Sequence, residues 1–312
     1  MTLFTTLTMN PALDLSTAVD HIVDAHKMRC ETPQVHAGGG GINVARVLVR
    51  LGETVRALFP IGGPTGDRLM RLLTADGVAI EGVPIAGDTR ESITVRELAT
   101  GRELRFVLPG PTLSEAEWQA CLARLSAQPA GKWWVASGSL PPGVPTDFFA
   151  RVARLARAAG CRLVLDTSGE PLRAALEEGV YLVKPSLREM SELAGAPLDT
   201  LVQQRDAASA LVTRGSAEVV ALSLGAQGAL LATADVGLLA NAPQVSVVST
   251  VGAGDSFLAG LVAALSRQSE PAEAFRSAVA AGAAALLAPG TALCQPQDIA
   301  RLRLQVTVRS LA

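Results

Sequence analysis

The densest chemistry in the 312-residue sequence lies in Ser249-Thr-Val-Gly-Ala-Gly-Asp-Ser-Phe257. Gly252, Ala253 and Gly254 form a small-residue turn before an apolar stretch that reads as a helix from Asp255. Successive backbone N–H groups at such a turn can cradle an anion, helped by the helix dipole. Asp255 has two readings there. It is an N-cap, the common use of Asp at a helix start, or a general base beside donors that stabilise developing negative charge. Phosphoryl transfer needs both a base and such donors. A second run, Gly38 to Gly41 in His36-Ala-Gly-Gly-Gly-Gly-Ile-Asn-Val-Ala-Arg46, leaves bare backbone just before another helix. A ligand can approach the main chain closely there, with Gly39 in the loop and Asn43 offering an amide from the first helical turn. The alternative is a flexible loop.

Neither run is a known nucleotide fingerprint. No GxxxxGK[ST] occurs, and Val44 and Phe257 stand where GxGxxG needs its last glycine. A nicotinamide-dependent dehydrogenase is therefore disfavoured. Arg90 and Arg105 lie in a polar segment, where guanidinium forks can clamp a phosphate or simply be solvated. Lysine is rare, with only Lys27, Lys132 and Lys184. Lys184 ends an apolar run, and Asp14 can accept sugar hydroxyls or cap a turn.

These residues need elements to hold them. Leu3–Thr8, Val55–Phe59, Trp133–Ser137, Arg162–Asp166, Tyr181–Lys184 and Glu218–Ser223 read as strands. Helical stretches alternate with them: 42–51, 66–75, 114–127 opened by a Ser114/Glu117 capping box, 146–159, 255–265 and 271–287. On the first of these helices Asn43, Arg46 and Arg50 share one face at i, i+3 and i+7. The alternation predicts an α/β fold with a mostly parallel sheet covered on both faces. Ligands bind beyond the carboxyl ends of such strands, where Ser137-Gly-Ser139, Asp166, Lys184 and Ser223-Leu-Gly225 fall. Segments 13–35 and 84–109 break the pattern. They form a small second sheet over the site, with a hairpin turning at Thr100-Gly101, or are surface excursions.

Composition narrows the function. The 27 basic and 29 acidic residues nearly cancel, which argues against a nucleic-acid partner. The longest apolar run, Ala278 to Ala288, is too short to span a membrane and reads as a buried helix. The N-terminal stretch lacks the features of a secretory signal. Cys30, Cys121, Cys161 and Cys294 are scattered, with no zinc-like spacing. They read as buried small hydrophobes in a chain of the cytoplasm.

Taken in order, Thr8-x-Asn-Pro-Ala-Leu-Asp14, Gly38–Arg46, Arg90, Arg105–Gly110, Ser137–Val144, Leu165–Glu170, Leu182–Ser186, Ser223–Leu230 and Ser249–Phe257 resemble the pfkB (ribokinase-like) carbohydrate kinases over essentially the whole chain. The resemblance implies a single Rossmann-like kinase domain, 1–312, whose β-sheet lid usually mediates a homodimer. Within the family the chain is most similar to the branch that phosphorylates fructose 6-phosphate at its 1-hydroxyl with ATP. Its glycine run is GGGG, where relatives acting on tagatose 6-phosphate or fructose 1-phosphate usually carry GGKG. Those two substrates remain the nearest rivals, and a non-catalytic sugar-phosphate sensor is the rival of another class. By the resemblance, Asp255 is the catalytic base and Gly252, Ala253 and Gly254 the anion hole. Asp14, Gly39 and Asn43 hold the sugar; Arg90, Arg105 and Ser139 complete the sugar-phosphate site. Lys184, Ser186, Ser223, Leu224, Gly225, Ala226, Gln227 and Gly228 line the ATP site, and Lys27 reaches nucleotide across the dimer. Glu189 positions hydrated Mg²⁺. Backbone oxygens at Ser249, Val251, Ala285, Ala288 and Gly290 hold a monovalent cation such as K⁺. The family's NxxE motif reads Ser186-Leu-Arg-Glu189 here, which puts phosphate and Mg²⁺ handling in question.

Overall fold

Short β-branched and apolar runs separated by amphipathic helices favour parallel strands joined by crossover helices. The computed structural model has this arrangement and describes residues 3–24, 26–129 and 132–311. The first two residues of the N-terminal stretch and the last residue of the expected domain lie outside the described residues.

In chain order the strands are β1 (Leu3–Leu7), β2 (Ala12–Val19), β3 (Gln34–Gly38), β4 (Thr54–Ile61), β5 (Ala79–Pro84), β6 (Arg90–Glu97), β7 (Glu103–Val107), β8 (Trp133–Ser137), β9 (Arg162–Asp166), β10 (Val180–Val183), β11 (Ala217–Ser223), β12 (Ala229–Ala232), β13 (Gly237–Ala240) and β14 (Val308–Ser310). The helices are α1 (Gly40–Arg50), α2 (Gly63–Ala75), α3 (Glu115–Ser126), α4 (Phe148–Ala158), α5 (Gly169–Glu178), α6 (Leu187–Ala194), α7 (Leu201–Thr213), α8 (Ala253–Ser266), α9 (Pro271–Ala285) and α10 (Pro296–Arg303). The main sheet runs β14-β13-β12-β11-β10-β9-β8-β1-β4-β5. Strands β11 through β5 are parallel, and the other three turn antiparallel.

Strand residues alternate between two cores. Phe4, Val135, Val219 and Ala221 pack with α1, α2, α8 and α9. Trp134, Ala136, Val220 and Leu222 pack with α3, α4, α5 and α7 on the other face. A sheet buried on both faces fixes its own register, since a one-residue slip would exchange the two sets. The Ala-rich run from Ala278 is buried in α9 through Ala285, and no helix among the described residues is long and apolar enough to cross a membrane.

A second sheet, ordered β3-β2-β6-β7, stands over the carboxyl edge of the first. Its β6–β7 hairpin turns at Thr100-Gly101, where Gly101 adopts φ +72°. Pro84 belongs to β5 of the main sheet, and the described residues within 20–33 contribute no strand.

Several boundaries differ from the sequence reading. α1 begins at Gly40 rather than Ile42, and α8 at Ala253 rather than Asp255. Both glycine-containing turns are thus helix beginnings, not free loops. β10 stops at Val183, which leaves Lys184 as the first residue beyond the edge. The Ser114/Glu117 capping box is present. Of the four free cysteines, Cys121 and Cys294 are buried and Cys161 is half-buried against the second core, but Cys30 is exposed.

The glycine run is a packing device. A Cβ at Gly41 would stand 2.6 Å from Thr8 Oγ1 and 2.7 Å from the Leu7 carbonyl oxygen. The start of α1 therefore lies directly on the end of β1. Gly41→Ala is expected to destabilise the protein by about 2 kcal/mol, the usual cost of overpacking a rigid site, as read by denaturant unfolding.

Candidate active site

Parallel strands place their carboxyl ends at one edge, so β1, β8, β9 and β10 deliver Asn10, Ser137–Ser139, Asp166 and Lys184 to a common level. The N-termini of α1 and α8 point into the same space, and β2, β6 and β7 roof it. The result is a polar cavity of about 340 Å³ lined by Asp14, Gly39, Asn43, Arg90, Arg105, Ser139, Glu189, Val251, Gly252 and Asp255 among others. A second cavity of about 430 Å³ lies beside it. It is mainly apolar, walled by Ala242, Val245, Val247, Phe257, Val279, Ala283 and Leu286, with Ser223, Gly225, Ala226 and Gly228 at its rim. The first turn of α8 is the partition. Gly252 and Asp255 face the polar cavity, and Ala253 and Gly254 the apolar one.

Asp255 is not the N-cap of α8. That position belongs to Gly252 in the left-handed region at φ +77°, and Asp255 is the third helical residue. Its Oδ2 instead accepts a 2.9 Å hydrogen bond from Asn43 Nδ2 on α1. Burial pushes the Asp255 carboxyl up to about 6, reinforced by the nearby Asp166; Asn43 and the Lys184 charge pull it back. Asp14, beneath the lid, is also raised to about 6 by burial, against the pull of Arg90 and Arg105.

Lys184 is buried, with Nζ 3.1 Å from Asp166 Oδ1. Burial works against its charge, but Asp166, Asp255 and Glu189 outweigh that and hold it protonated. A Cβ at Gly254 would lie 3.4 Å from Lys184 Nζ, so this ammonium rests against the α8 turn. The turn N–H groups and Lys184 together give a positive pole at the partition between the cavities.

Arg90 is held by its neighbours. Its Nε and Nη2 donate to the Asn10 carbonyl at 3.3 and 3.1 Å, and Nη1 to the Leu108 carbonyl at 3.0 Å. Asn10 Nδ2 donates to Ser139 Oγ at 3.1 Å. Ser186 and Glu189 form a reciprocal capping box on α6: Glu189 N–H donates to Ser186 Oγ, and Ser186 N–H to Glu189 Oε2 at 2.8 Å. Serine is a strong N-cap residue, so the substituted motif keeps a local structural use and presents Glu189 to the cavity.

The remaining candidates fall in three places. Leu224 is buried in the second core and Gln227 lies in the short 3₁₀ turn Gly225–Gln227; neither lines the apolar cavity. Lys27 is exposed between β2 and β3 and lines neither cavity. Ser249 and Val251 precede α8, whereas Ala285, Ala288 and Gly290 fall at and beyond the end of α9. The Val248 N–H bond to the Leu286 carbonyl, 2.8 Å, brings the two segments together. Both also touch the lid, through Ser249 Oγ to Glu103 at 3.1 Å and Gly290 against Ser16. Sequence reasoning placed Ser137 and Asp166 at the ligand edge without a specific role and gave none to Asn10, whose available signal was its position just past β1.

Residues 7–298 match the pfkB family carbohydrate kinase model, and the chain belongs to that family. It is 49% identical over 297 residues to ATP-dependent 6-phosphofructokinase isozyme 2 of Mycobacterium tuberculosis H37Rv, covering 95% of this chain and 87% of that one. Against the 1-phosphofructokinase of Bacillus subtilis it is 34% identical, covering 89% and 91%. Among solved structures, phosphofructokinase-2 of Escherichia coli covers 98% of this chain and 99% of its own. The TM-scores are 0.94 for its potassium complex at 38% identity, 0.93 for its fructose-6-phosphate complex at 37%, and 0.93 for its tetrameric inhibited form at 38%. The architecture is the ribokinase-like α/β fold with a small separate sheet.

The raised Asp255 carries a stability consequence. Its folded-state proton affinity exceeds the unfolded value of 3.8, so its contribution to stability declines as pH rises from about 4 through 6. Asp255→Asn, which removes the charge, is expected to raise the Tm at pH 8. The gain over the parent should vanish below pH 4 in thermal scans.

Proposed function

We propose that this protein transfers the γ-phosphoryl group of ATP to the 1-hydroxyl of fructose 6-phosphate, giving fructose 1,6-bisphosphate. The observation that carries this reading is the partition itself. One helix turn separates an arginine-lined polar cavity from an apolar one, and it bears a carboxylate raised to about 6. An acceptor with a hydroxyl and a phosphate suits the first cavity. A nucleobase suits the second, whose aliphatic walls offer contact without ring stacking.

In this reading Asp255 takes the proton of the 1-hydroxyl as the oxygen attacks. The N–H groups of the Gly252–Gly254 turn, with Lys184, stabilise charge developing on the transferring group. Asp14, Gly39 and Asn43 hold the sugar, while Arg90, Arg105 and Ser139 hold its 6-phosphate. Ser223 through Gly228 form the rim against the nucleotide, with Ser186 supporting Glu189. Magnesium, when bound, neutralises phosphate charge. Among the described residues no group of three His, Cys, Asp or Glu side chains is set to hold a metal. That suits an ion held mostly by phosphates and water, with Glu189 contributing. The paired segments around Ser249, Val251, Ala285, Ala288 and Gly290 support a K⁺ site, as does the potassium complex of the E. coli relative. Exposed Leu98, Phe106, Val107 and Leu108 on the lid support a homodimer that brings Lys27 toward a partner's nucleotide. Four free cysteines are consistent with a cytoplasmic setting.

The relatives named 1-phosphofructokinase make fructose 1-phosphate the alternative acceptor. One feature favours fructose 6-phosphate. Where relatives carry the lysine of GGKG this chain has Gly40, and a Cβ there would stand 2.2 Å from Ser137 Oγ.

Asp255→Asn should lower kcat by about 100-fold or more, with KM for both substrates changed little; steady-state assays giving near-parent turnover would overturn the assignment. The parent's kcat/KM should fall on the acid side of about pH 6, where Asp255 takes up its proton in the free enzyme. Arg105→Ala should raise KM for the sugar phosphate about tenfold while leaving that for ATP nearly unchanged.

A further inference from the structure

The polar face of α1 has a use beyond Asn43. Arg46 and Arg50 follow it at i+3 and i+7, and both reach the loop after α9. Arg46 is 3% exposed. Its Nε donates to Asp76 at 2.6 Å, and its Nη1 to the carbonyls of Ala37 and Thr291, each at 2.9 Å. Arg50 Nη1 donates to the Ala292 carbonyl at 2.7 Å and the Cys294 carbonyl at 3.0 Å. The two carbonyls that Arg50 grips flank one residue, Leu293, and Arg46 holds the same loop at Thr291. Leu293 is fully buried and lies in the left-handed region at φ +63°. A side chain disfavours that conformation, and it persists where the surroundings enforce it. The Leu293 side chain lies against the α8 turn: a Cβ at Gly252 would stand 2.4 Å from Leu293 Cδ2.

We infer that Arg46 and Arg50 are positioning residues, holding Leu293 in its strained conformation so that it pins Gly252 and aims the N–H groups of the Gly252–Gly254 turn. This rests on the reading of that turn as the anion hole. Glycine has wide conformational freedom, so an unsupported Gly252 would let the donors drift. One helix face then fixes both halves of the chemistry, the base through Asn43 and the anion-binding turn through Leu293. A preorganised turn acts on the transition state and leaves ground-state binding of either substrate nearly untouched.

Two variants test this. Arg50 is half-buried, so Arg50→Ala leaves the core packed; Leu293→Gly removes the prop and accepts the φ without strain. For each, kcat should drop about tenfold, while the Kd values for ADP and fructose 6-phosphate stay within about twofold. Trapping of an ADP–fluoroaluminate complex, which mimics the transferring phosphoryl group, should weaken with kcat. Arg50→Lys, which can still donate to carbonyls, should recover most of the loss. If both variants turn over at the parent rate, or if ADP and sugar-phosphate affinity fall as far as kcat, the inference is wrong. An inactive Asp255→Asn beside fully active Arg50→Ala and Leu293→Gly would overturn this inference alone. An active Asp255→Asn would overturn the reading on which it rests.

Discussion

A half-buried carboxylate in the first turn of a helix is the constraint on which the rest of this structure depends. Asp255 sits where α8 offers unpaired N–H groups, and its carboxylate accepts from the Asn43 amide, 2.9 Å away on another helix. That bond joins the N-termini of α1 and α8. Both helices must therefore arrive at the same point, and each does so through a glycine turn too tight for a side chain. Gly41 lies against β1, and Gly252 against Leu293.

The electrostatics follow from the same arrangement. Two carboxyls, Asp14 and Asp255, are raised to about 6, and each is restrained by cations: Arg90 and Arg105 for the first, Lys184 for the second. Desolvation and compensation of this kind lower stability near neutral pH and leave a base poised for use. The cations also mark two places for anionic groups, one beneath the lid and one at the α8 turn. A chain whose charges nearly cancel overall thus places positive charge at its cavities: Lys184 buried, Arg90 half-buried and held by carbonyls, and Arg105 exposed on the lid. Its two cavities differ in character because one helix turn separates strand-end polar residues from the apolar faces of α8 and α9.

Much of this was legible in the sequence because it rested on period and spacing. Alternating runs gave the parallel sheet, and the fall of Ser137, Asp166 and Lys184 at run ends placed a site at its edge. The polar segments around the Thr100-Gly101 turn left a second sheet and surface excursions both open, and the sheet is what forms. What was not legible depended on contacts distant in sequence. Nothing local reveals that Asp255 lies three residues into α8 and is held by Asn43, 212 positions away. Nor does spacing show that Asn10 orders Arg90 and Ser139, since its bonds form only when β2 pairs with β6 and β1 with β8. Leu224 and Gln227 part company for a similar reason: Leu224 turns into the second core, while Gln227 is exposed on the short 3₁₀ turn. The i, i+3, i+7 pattern on α1 was visible, but its targets lie in a loop some 245 residues later.

The central claim is that the arginine-lined cavity accepts a ketohexose 6-phosphate and that the α8 turn directs phosphoryl transfer to its 1-hydroxyl. The most direct measurement is the rate of ADP release from ATP and Mg²⁺ with fructose 6-phosphate, fructose 1-phosphate and tagatose 6-phosphate in turn, with the product identified by ³¹P NMR. The account predicts the highest kcat/KM on fructose 6-phosphate and a product carrying a phosphomonoester at both ends of the sugar. A preference for fructose 1-phosphate, or binding of fructose 6-phosphate with no ADP released, would contradict it.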